Sequence, residues 1–242
     1  MSRRHEPFSK THIGLAKRRN VVTKASLSTH MVAASKRTRG VHWDDMQPFA
    51  PPEDWYSGTG RDGRFQVVVQ PAGPGYRHIL TEQDIRARLA ELPPHFLRCL
   101  EVIQLSRMTR KKQTFPCYGM QWGNSLYLYP LEDTLVEYFQ SPPGPSLANE
   151  VRMYGGEWVH EPPTTWKLVW SEAAIKDFYL NNILFHELGH LLDDRNTKSA
   201  QRERYAEWFA VRYGYLPSRA TVRPRQRSGR RPVRRRHHRC AG

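Results

Sequence analysis

His186, Glu187 and His190 form an H-E-x-x-H pattern that is set among apolar residues. On a helix, residues four apart share one face, so the two imidazoles could reach a single metal ion. Glu187 lies one step around the helix, where it could take a proton from a water that the metal activates. The pattern therefore predicts a hydrolytic metal site, with both histidines as ligands and Glu187 as general base.

The residues around this pattern favour a long helix. Residues 166–170 alternate like a strand, and Ser171 is a suitable N-cap. Apolar residues then recur at spacings of three and four, with no proline, as an amphipathic helix requires. Gly189 lies between the two histidines, where a small residue allows another backbone to approach. We expect a helix over residues 171–195 and a second helix over residues 199–213.

A catalytic zinc site needs a third protein ligand and leaves one position to water. The second helix offers Glu203 and Glu207, and Asp194 closely follows the second histidine. Twelve residues separate His190 from Glu203, so the residues alone leave the choice among these three acids open. Imidazole and carboxylate ligands favour zinc, and we expect one Zn2+ per chain.

The pattern H-E-x-G-H, followed by E-x-x-A-E-x-F-A, resembles the gluzincin metallopeptidases, locally their lethal-factor-like and phage-repressor-cleaving branches. The resemblance covers roughly 45 of the 242 residues. It implies a zincin-like α+β fold, in which a small mixed sheet packs on an active-site helix and a second ligand-bearing helix. It also implies that Glu203 is the third zinc ligand, and that Glu207 accepts a hydrogen bond from a ligating histidine.

Residues 124–129 alternate as a strand, with Leu126 and Leu128 predicted to face the core, and Tyr127 and Tyr129 the other side. In zincin-like folds an exposed edge strand beside the active-site helix pairs with the substrate backbone, a general mode of peptide recognition. Asn124, Leu126 and Leu128 are therefore the candidate substrate edge. An interior strand is an equal alternative.

Other segments carry weaker local signals. Thr81 and Asp84 predict the start of a helix. A second helix is expected over residues 96–103, which would place Cys99 in the core. Residues 131–140 suggest a short helix, and the residues from 141 to 165, rich in proline and glycine, suggest an irregular connection.

The net charge of +15 is concentrated at the two ends of the chain. Residues 1–40 carry ten Lys and Arg against one acid, and residues 219–242 carry ten Arg and no acid. The composition predicts a basic disordered segment at 1–40, the metallopeptidase domain at 41–217 and an Arg-rich disordered tail at 218–242. Such tails could contact nucleic acid or an anionic surface without reading its sequence.

A short basic cluster occurs inside the domain, at residues 107–112. Its simplest interpretation is a solvated loop, and contact with an acidic substrate or nucleic acid is the alternative. The three widely spaced cysteines form no disulfide pattern. Since there is also no apolar run long enough for a membrane span and no secretory h-region, we expect a cytoplasmic protein.

Together these features predict a zinc-dependent peptidase that acts on a peptide or protein substrate, with Glu187 as general base. Two alternatives are a zincin-fold metal-binding regulator with little activity, and a nucleic-acid-associated protein that acts through its basic tails. The carbonyl oxygen that becomes negatively charged needs a hydrogen-bond donor. The eligible residues are Tyr205, Tyr213, Arg202 and His160.

Overall fold

The computed structural model of the chain describes residues 52–53, 64–114 and 117–222. These residues form a mixed fold of small sheets and helices, which confirms the α+β class predicted from the sequence. The predicted basic segment 1–40 and residues 223–242 of the Arg-rich tail lie outside the described residues.

The described residues contain nine strands in three sheets. The strands are β1 (Gln66–Val69), β2 (Tyr76–Arg77), β3 (Val102–Leu105), β4 (Gly119–Trp122), β5 (Ser125–Leu128), β6 (Leu131–Glu132), β7 (Val136–Phe139), β8 (Glu157–Glu161) and β9 (Thr165–Val169). The largest sheet has the order β1-β3-β5-β4. Its first three strands are parallel, and β4 runs antiparallel to β5.

The prediction that residues 124–129 form an exposed substrate edge through Asn124, Leu126 and Leu128 is wrong. Strand β5 lies inside the sheet, with β3 on one side and β4 on the other. The predicted alternation is correct, since Leu126 and Leu128 join the main core and Tyr127 and Tyr129 form a second cluster. A strand that is buried on both faces belongs in a sheet interior. Within the described sheet, the edge near the helices is β4.

Two smaller sheets correct the predictions for residues 131–165. Strands β7, β9 and β8 form an antiparallel sheet, and β2 pairs with β6. The predicted helix at 131–140 is therefore two short strands. The predicted irregular connection contains a helix, Pro145–Met153, and strand β8. The proline that suggested a break occupies the first turn of that helix, where no backbone N–H donor is needed.

The described residues contain seven α-helices and two π-helical segments. The helices are α1 (Glu82–Leu89), α2 (Arg110–Thr114), α3 (Pro145–Met153), α4 (Glu172–Phe178), α5 (Leu184–Leu192), α6 (Ser199–Phe209) and α7 (Leu216–Val222). The π segment Tyr179–Ile183 joins α4 to α5, and the π segment Ala210–Tyr215 joins α6 to α7. Both predicted helices, 171–195 and 199–213, are thus observed as helical runs.

The N-caps predicted at Thr81 and Ser171 are confirmed. Thr81 Oγ1 accepts from the backbone N–H of Asp84, whose carboxylate in turn accepts from the Thr81 N–H, and this forms a capping box. Ser171 Oγ accepts from the Ala174 N–H at the start of α4. Such caps each stabilise a helix by about 1 kcal/mol.

The predicted helix over residues 96–103 is wrong. A 3-10 turn covers Pro94–Leu97, and the chain then enters β3. Cys99 is consequently exposed rather than part of the core. At the other end of the domain, α7 continues to Val222, beyond the predicted boundary at residue 217.

The main core lies between the large sheet and the helical run of residues 172–192. Ile103, Leu126 and Leu128 of the sheet join Phe178, Leu184 and Leu188 of the run in one buried cluster. Full burial of each such side chain contributes roughly 1.5–3 kcal/mol. Helix α5 packs directly against β4 and β5. No helix among the described residues has the length and apolar character needed to cross a membrane.

Candidate metal centre

The two histidines project from the same face of α5 into the domain interior. Their relative exposures are 1 % for His186 and 8 % for His190, and their ring centroids lie 4.7 Å apart. This arrangement is the one that the spacing of four predicted. Each histidine could therefore offer one imidazole nitrogen to the same metal ion.

Glu203 of α6 reaches the same place. Its Oε1 lies 3.1 Å from Nε2 of His190, and its Oε2 lies 3.5 Å from Nε2 of His186. The ligand atoms of the three residues all lie within 4.8 Å of one another. His186, His190 and Glu203 thus form a buried group that could hold a metal ion.

The spacing of Glu203 from the two histidines is close to that of atoms bound to a small divalent cation. Atoms bonded to one tetrahedral ion at about 2.0–2.2 Å lie about 3.3–3.6 Å from each other. The distances from Glu203 to the two histidines, 3.1 and 3.5 Å, are close to that range. Two imidazoles and one carboxylate also match the donors of known three-ligand zinc sites.

The other acids considered from the sequence lie elsewhere. Asp194 is exposed in the turn that follows α5. Glu207 is also exposed, one helical turn beyond Glu203. A hydrogen bond from a ligating histidine to Glu207 therefore stays a prediction, whereas Glu203 is the acid beside both rings.

A glycine allows helices α5 and α6, which carry the candidate ligands, to pack closely. A Cβ atom on Gly189 would lie 2.9 Å from Cα of Ala206 and 3.1 Å from Cβ of Phe209. Real Cβ atoms essentially never approach backbone this closely. Gly189 thus allows the close backbone approach that the sequence predicted, and α6 can place Glu203 beside the histidines.

The turn between these helices is short and well bonded. Asp193 is buried, and its Oδ1 accepts hydrogen bonds from the backbone N–H and the side-chain amide of Asn196. From the first turn of α6, Arg202 donates to the carbonyl of His190 at 3.1 Å. These bonds fix how α6 follows α5, which explains how a gap of only twelve residues brings Glu203 to the histidines.

Glu187 directly follows His186 and is fully buried. It packs against β4, because a Cβ on Gly119 would lie 2.9 Å from both Cγ and Oε1 of Glu187. The same atom would lie 2.8 Å from Cγ2 of Ile183. Strand β4 therefore contacts the candidate base, Glu187, at Gly119, where the strand has no side chain. The sequence analysis did not predict this contact.

A buried arginine, Arg88, donates hydrogen bonds to the two π segments. Nε of Arg88 donates to Oδ1 of Asn181 at 2.7 Å, and Nη2 donates to the carbonyls of Tyr213 and Gly214. Its guanidinium carbon also lies 4.4 Å from the ring centroid of Phe185. Arg88 of α1 thus joins both π segments and contacts Phe185, the residue before His186. Helix periodicity gives no signal for such non-local partners.

A buried phenol joins the large sheet to the helical run of residues 172–192. The hydroxyl of Tyr179 donates to the carbonyl of Tyr129 at 2.8 Å. Burial, followed by the negative charge of Glu137, raises the pKa of Tyr179 well above its ordinary value. The phenol therefore stays protonated at neutral pH and continues to donate its hydrogen bond to Tyr129.

The four residues considered as oxyanion donors have other contacts. The guanidinium of Arg202 bonds to backbone carbonyls of α5 and the following turn. The ring of Tyr213 packs in an aromatic cluster with Phe96, and His160 lies against Trp166 on the β8–β9 hairpin. The ring of Tyr205 lies 5.5 Å from that of Trp208.

Comparison of the chain with protein-family models, with curated proteins and with solved structures finds no match.

Proposed function

We propose that this protein is a zinc-dependent peptidase, with His186, His190 and Glu203 as zinc ligands and Glu187 as general base. The observation that carries the proposal is the meeting of two histidines and one glutamate from two helices, with a buried glutamate next to the first ligand. A site that served structure alone would have no need of Glu187.

The ligand set supports zinc rather than a harder cation. Imidazole nitrogens suit zinc, whereas calcium and magnesium prefer an all-oxygen shell. Three protein ligands leave a position for water or substrate, as catalytic zinc sites do. A zinc ion bound there would supply Lewis-acid activation of water and polarise the scissile carbonyl.

Glu187 would then handle the protons of the reaction. Its carboxylate accepts a proton from the attacking water and passes it to the departing amine. Burial strengthens this role, since a carboxylate in a water-poor site interacts more strongly with charge nearby. Gly119 and Ile183 restrict the space around the Glu187 side chain and so help to orient it.

The candidate substrate edge moves from β5 to β4. Strand β4 is the terminal strand of the described sheet on the side of α5, and Gly119 at its start contacts Glu187. An extended peptide that paired with Gly119–Trp122 would be held by backbone hydrogen bonds beside the candidate base. This proposal keeps the mode of recognition predicted from the sequence and changes the strand.

The test is cleavage of a peptide library by the zinc-loaded full-length chain, followed by mass spectrometry. We expect Glu187→Gln to keep its zinc and lose cleavage by a factor of about 10²–10⁴, the usual contribution of a general base. Glu157→Gln is the matched control, because Glu157 is exposed on β8. That variant should cleave as the wild type does.

Two results would overturn the proposal. If Glu187→Gln cleaves as fast as the wild type, the activity has another source. If the wild type binds one zinc yet cleaves no peptide in the library, the metal-binding regulator becomes the better interpretation. The nucleic-acid alternative depends on the basic ends, and residues 1–40 and 223–242 lie outside the described part of the chain.

A further inference from the structure

A crevice opens at the carboxyl ends of the parallel strands and shares no described lining residue with the metal centre. Gln70, Ser106 and Tyr129 each follow the last residue of β1, β3 and β5, respectively, and all three line it. Backbone bonds hold these ends in register, from the Gln70 N–H to Leu105 O and from the Ser106 N–H to Leu128 O. The carboxyl ends of parallel strands are a common place for ligands in sheet proteins. We name this feature the sheet-end crevice.

The crevice is predominantly basic. Among the described residues that line it are three cations, Arg107, Lys111 and Lys112, and one acid, Glu53. Its enclosed volume is small, about 10 Å³, which is room for about one water molecule, and the rest of the crevice is open to solvent. Since the cations exceed the acids, the crevice attracts a negatively charged group.

Lys112 is the most informative of these cations. Its half-buried ammonium lies 4.3 Å from the ring centroid of Tyr129, 3.0 Å from Sγ of Cys117 and 4.0 Å from Sδ of Met120. Thiol and thioether sulfurs are weak acceptors. Among the residues described, neither Lys112 nor Lys111 forms an ion pair with a carboxylate. The ammonium group of Lys112 is thus held among weak acceptors, and Lys111 lines the same crevice.

Neutral donors complete the site. Gln104 in β3 and Ser106 just after it are buried and line the crevice. Nε2 of Gln104 donates to Oγ of Ser106 at 3.1 Å. Because Ser106 Oγ accepts that bond, its own proton is available to donate. An oxyanion in the crevice would then have lysine side chains and a hydroxyl among the groups that line it. Hydrogen bonds to a charged group are stronger than those between neutral groups.

We propose that the sheet-end crevice binds an oxyanion, the phosphate or carboxylate group of a small ligand, through Lys111, Lys112 and Ser106. The cluster of basic residues at 107–112 is then part of a binding site rather than only a solvated loop. The inference does not depend on the peptidase proposal, because the crevice uses none of the metal-site residues.

The test is titration of the ¹⁵N-labelled full-length protein with inorganic phosphate and, separately, with acetate, at constant ionic strength. Backbone amide shifts report binding residue by residue, which separates the crevice from the Arg-rich end of the chain. We expect saturable shifts at residues 104–112 with at least one of the two anions. The anion that binds more tightly identifies the group.

Matched variants decide whether the lysines form a site. Changing both Lys111→Gln and Lys112→Gln should weaken binding at least about tenfold. Arg64→Gln with Arg98→Gln removes the same charge from exposed positions outside the crevice and should change binding less than about twofold. Ser106→Ala, which alters no charge, should weaken binding severalfold.

The proposal is overturned if neither anion shifts residues 104–112 in a saturable way. It is also overturned if the control pair weakens binding as much as the lysine pair, because the attraction would then be a property of net charge. Should the lysine pair fail to fold, Ser106→Ala and Lys111→Gln alone give the same decision. Equal affinity of all variants and the wild type contradicts the assignment.

Discussion

The backbone of Ala206 occupies the space that a side chain on Gly189 would need, with 2.9 Å between the Ala206 Cα and the position of that Cβ. Gly189 stands between the two histidines, and Ala206 follows Glu203 by three residues. The contact therefore sets the distance between the helix that carries two candidate ligands and the helix that carries the third.

We expect Gly189→Ala to push α6 away from α5. A helix interior normally gains up to about 1 kcal/mol from this change. Here the added methyl group meets backbone, so we expect a net loss of about 1–3 kcal/mol in the free energy of unfolding and weaker metal binding. Urea denaturation and zinc titration measure the two effects. Gly144→Ala, where a Cβ meets open space, is the control. Unchanged zinc affinity in Gly189→Ala would contradict this account of the contact.

Gly119→Ala probes the candidate base rather than the ligands. The new methyl group would overlap with Cγ and Oε1 of Glu187 and with Cγ2 of Ile183. Because the three atoms nearest to the new methyl group belong to Ile183 and Glu187, we expect zinc to be retained while peptide cleavage falls at least about tenfold through displacement of Glu187. Zinc content and cleavage rate, measured on one preparation, separate the two properties. Parallel loss of both would show that Gly119 supports the whole site.

Arg88→Met tests the support behind the helical run. Burial lowers the pKa of Arg88, and the negative charges of Glu91 and Asp177 offset part of that effect. The substitution leaves Asn181 Oδ1 and two backbone carbonyls without this donor. We expect a loss of about 2–4 kcal/mol in the free energy of unfolding.

The matched control for that experiment is Arg86→Met on the same helix. Arg86 is exposed and pairs with Glu82, so its replacement should cost less than about 1 kcal/mol. Equal losses for the two variants in urea denaturation would remove the special role of Arg88.

Asp84 gives a pH-dependent prediction. Burial raises the pKa of its carboxyl, but hydrogen bonds from Lys176 and Thr81 outweigh burial, and the pKa lies below its ordinary value of 3.8. Stabilisation by the carboxylate is therefore present above pH 3.8 and is lost as the pH falls through the lowered pKa.

We expect Asp84→Asn to destabilise the protein by about 0.5–2 kcal/mol at neutral pH, and the difference to shrink below about pH 4. Denaturation midpoints at several pH values measure it. Asp133→Asn, at an exposed position, serves as the control. A difference that stayed constant down to pH 3 would argue against the charged capping box.

The features that the sequence predicted well are local ones. The spacing of His186 and His190, the caps at Thr81 and Ser171, and the small residue at Gly189 each depend on a few neighbours in the chain. Physical rules for a single helix are sufficient for such features.

The features that the sequence missed depend on distant partners. Whether β5 lies at an edge or inside is decided by its pairing with β3 and β4, and its own alternation is the same in either case. The contacts of Arg88 join residues about 90 to 125 positions apart in the chain. Cys99 became exposed because β3 follows the 3-10 turn, where a helix was expected.

The central claim is that His186, His190 and Glu203 bind one metal ion, and elemental analysis of the full-length protein supplied with zinc tests it most directly. The account predicts one zinc per chain in the wild type, in Glu187→Gln and in the exposed-residue control His160→Ala. Zinc should be lost in His186→Ala and strongly reduced in Glu203→Ala. The account would be contradicted by a folded wild-type protein that holds no zinc. It would also be contradicted if His186→Ala and Glu203→Ala retained zinc fully.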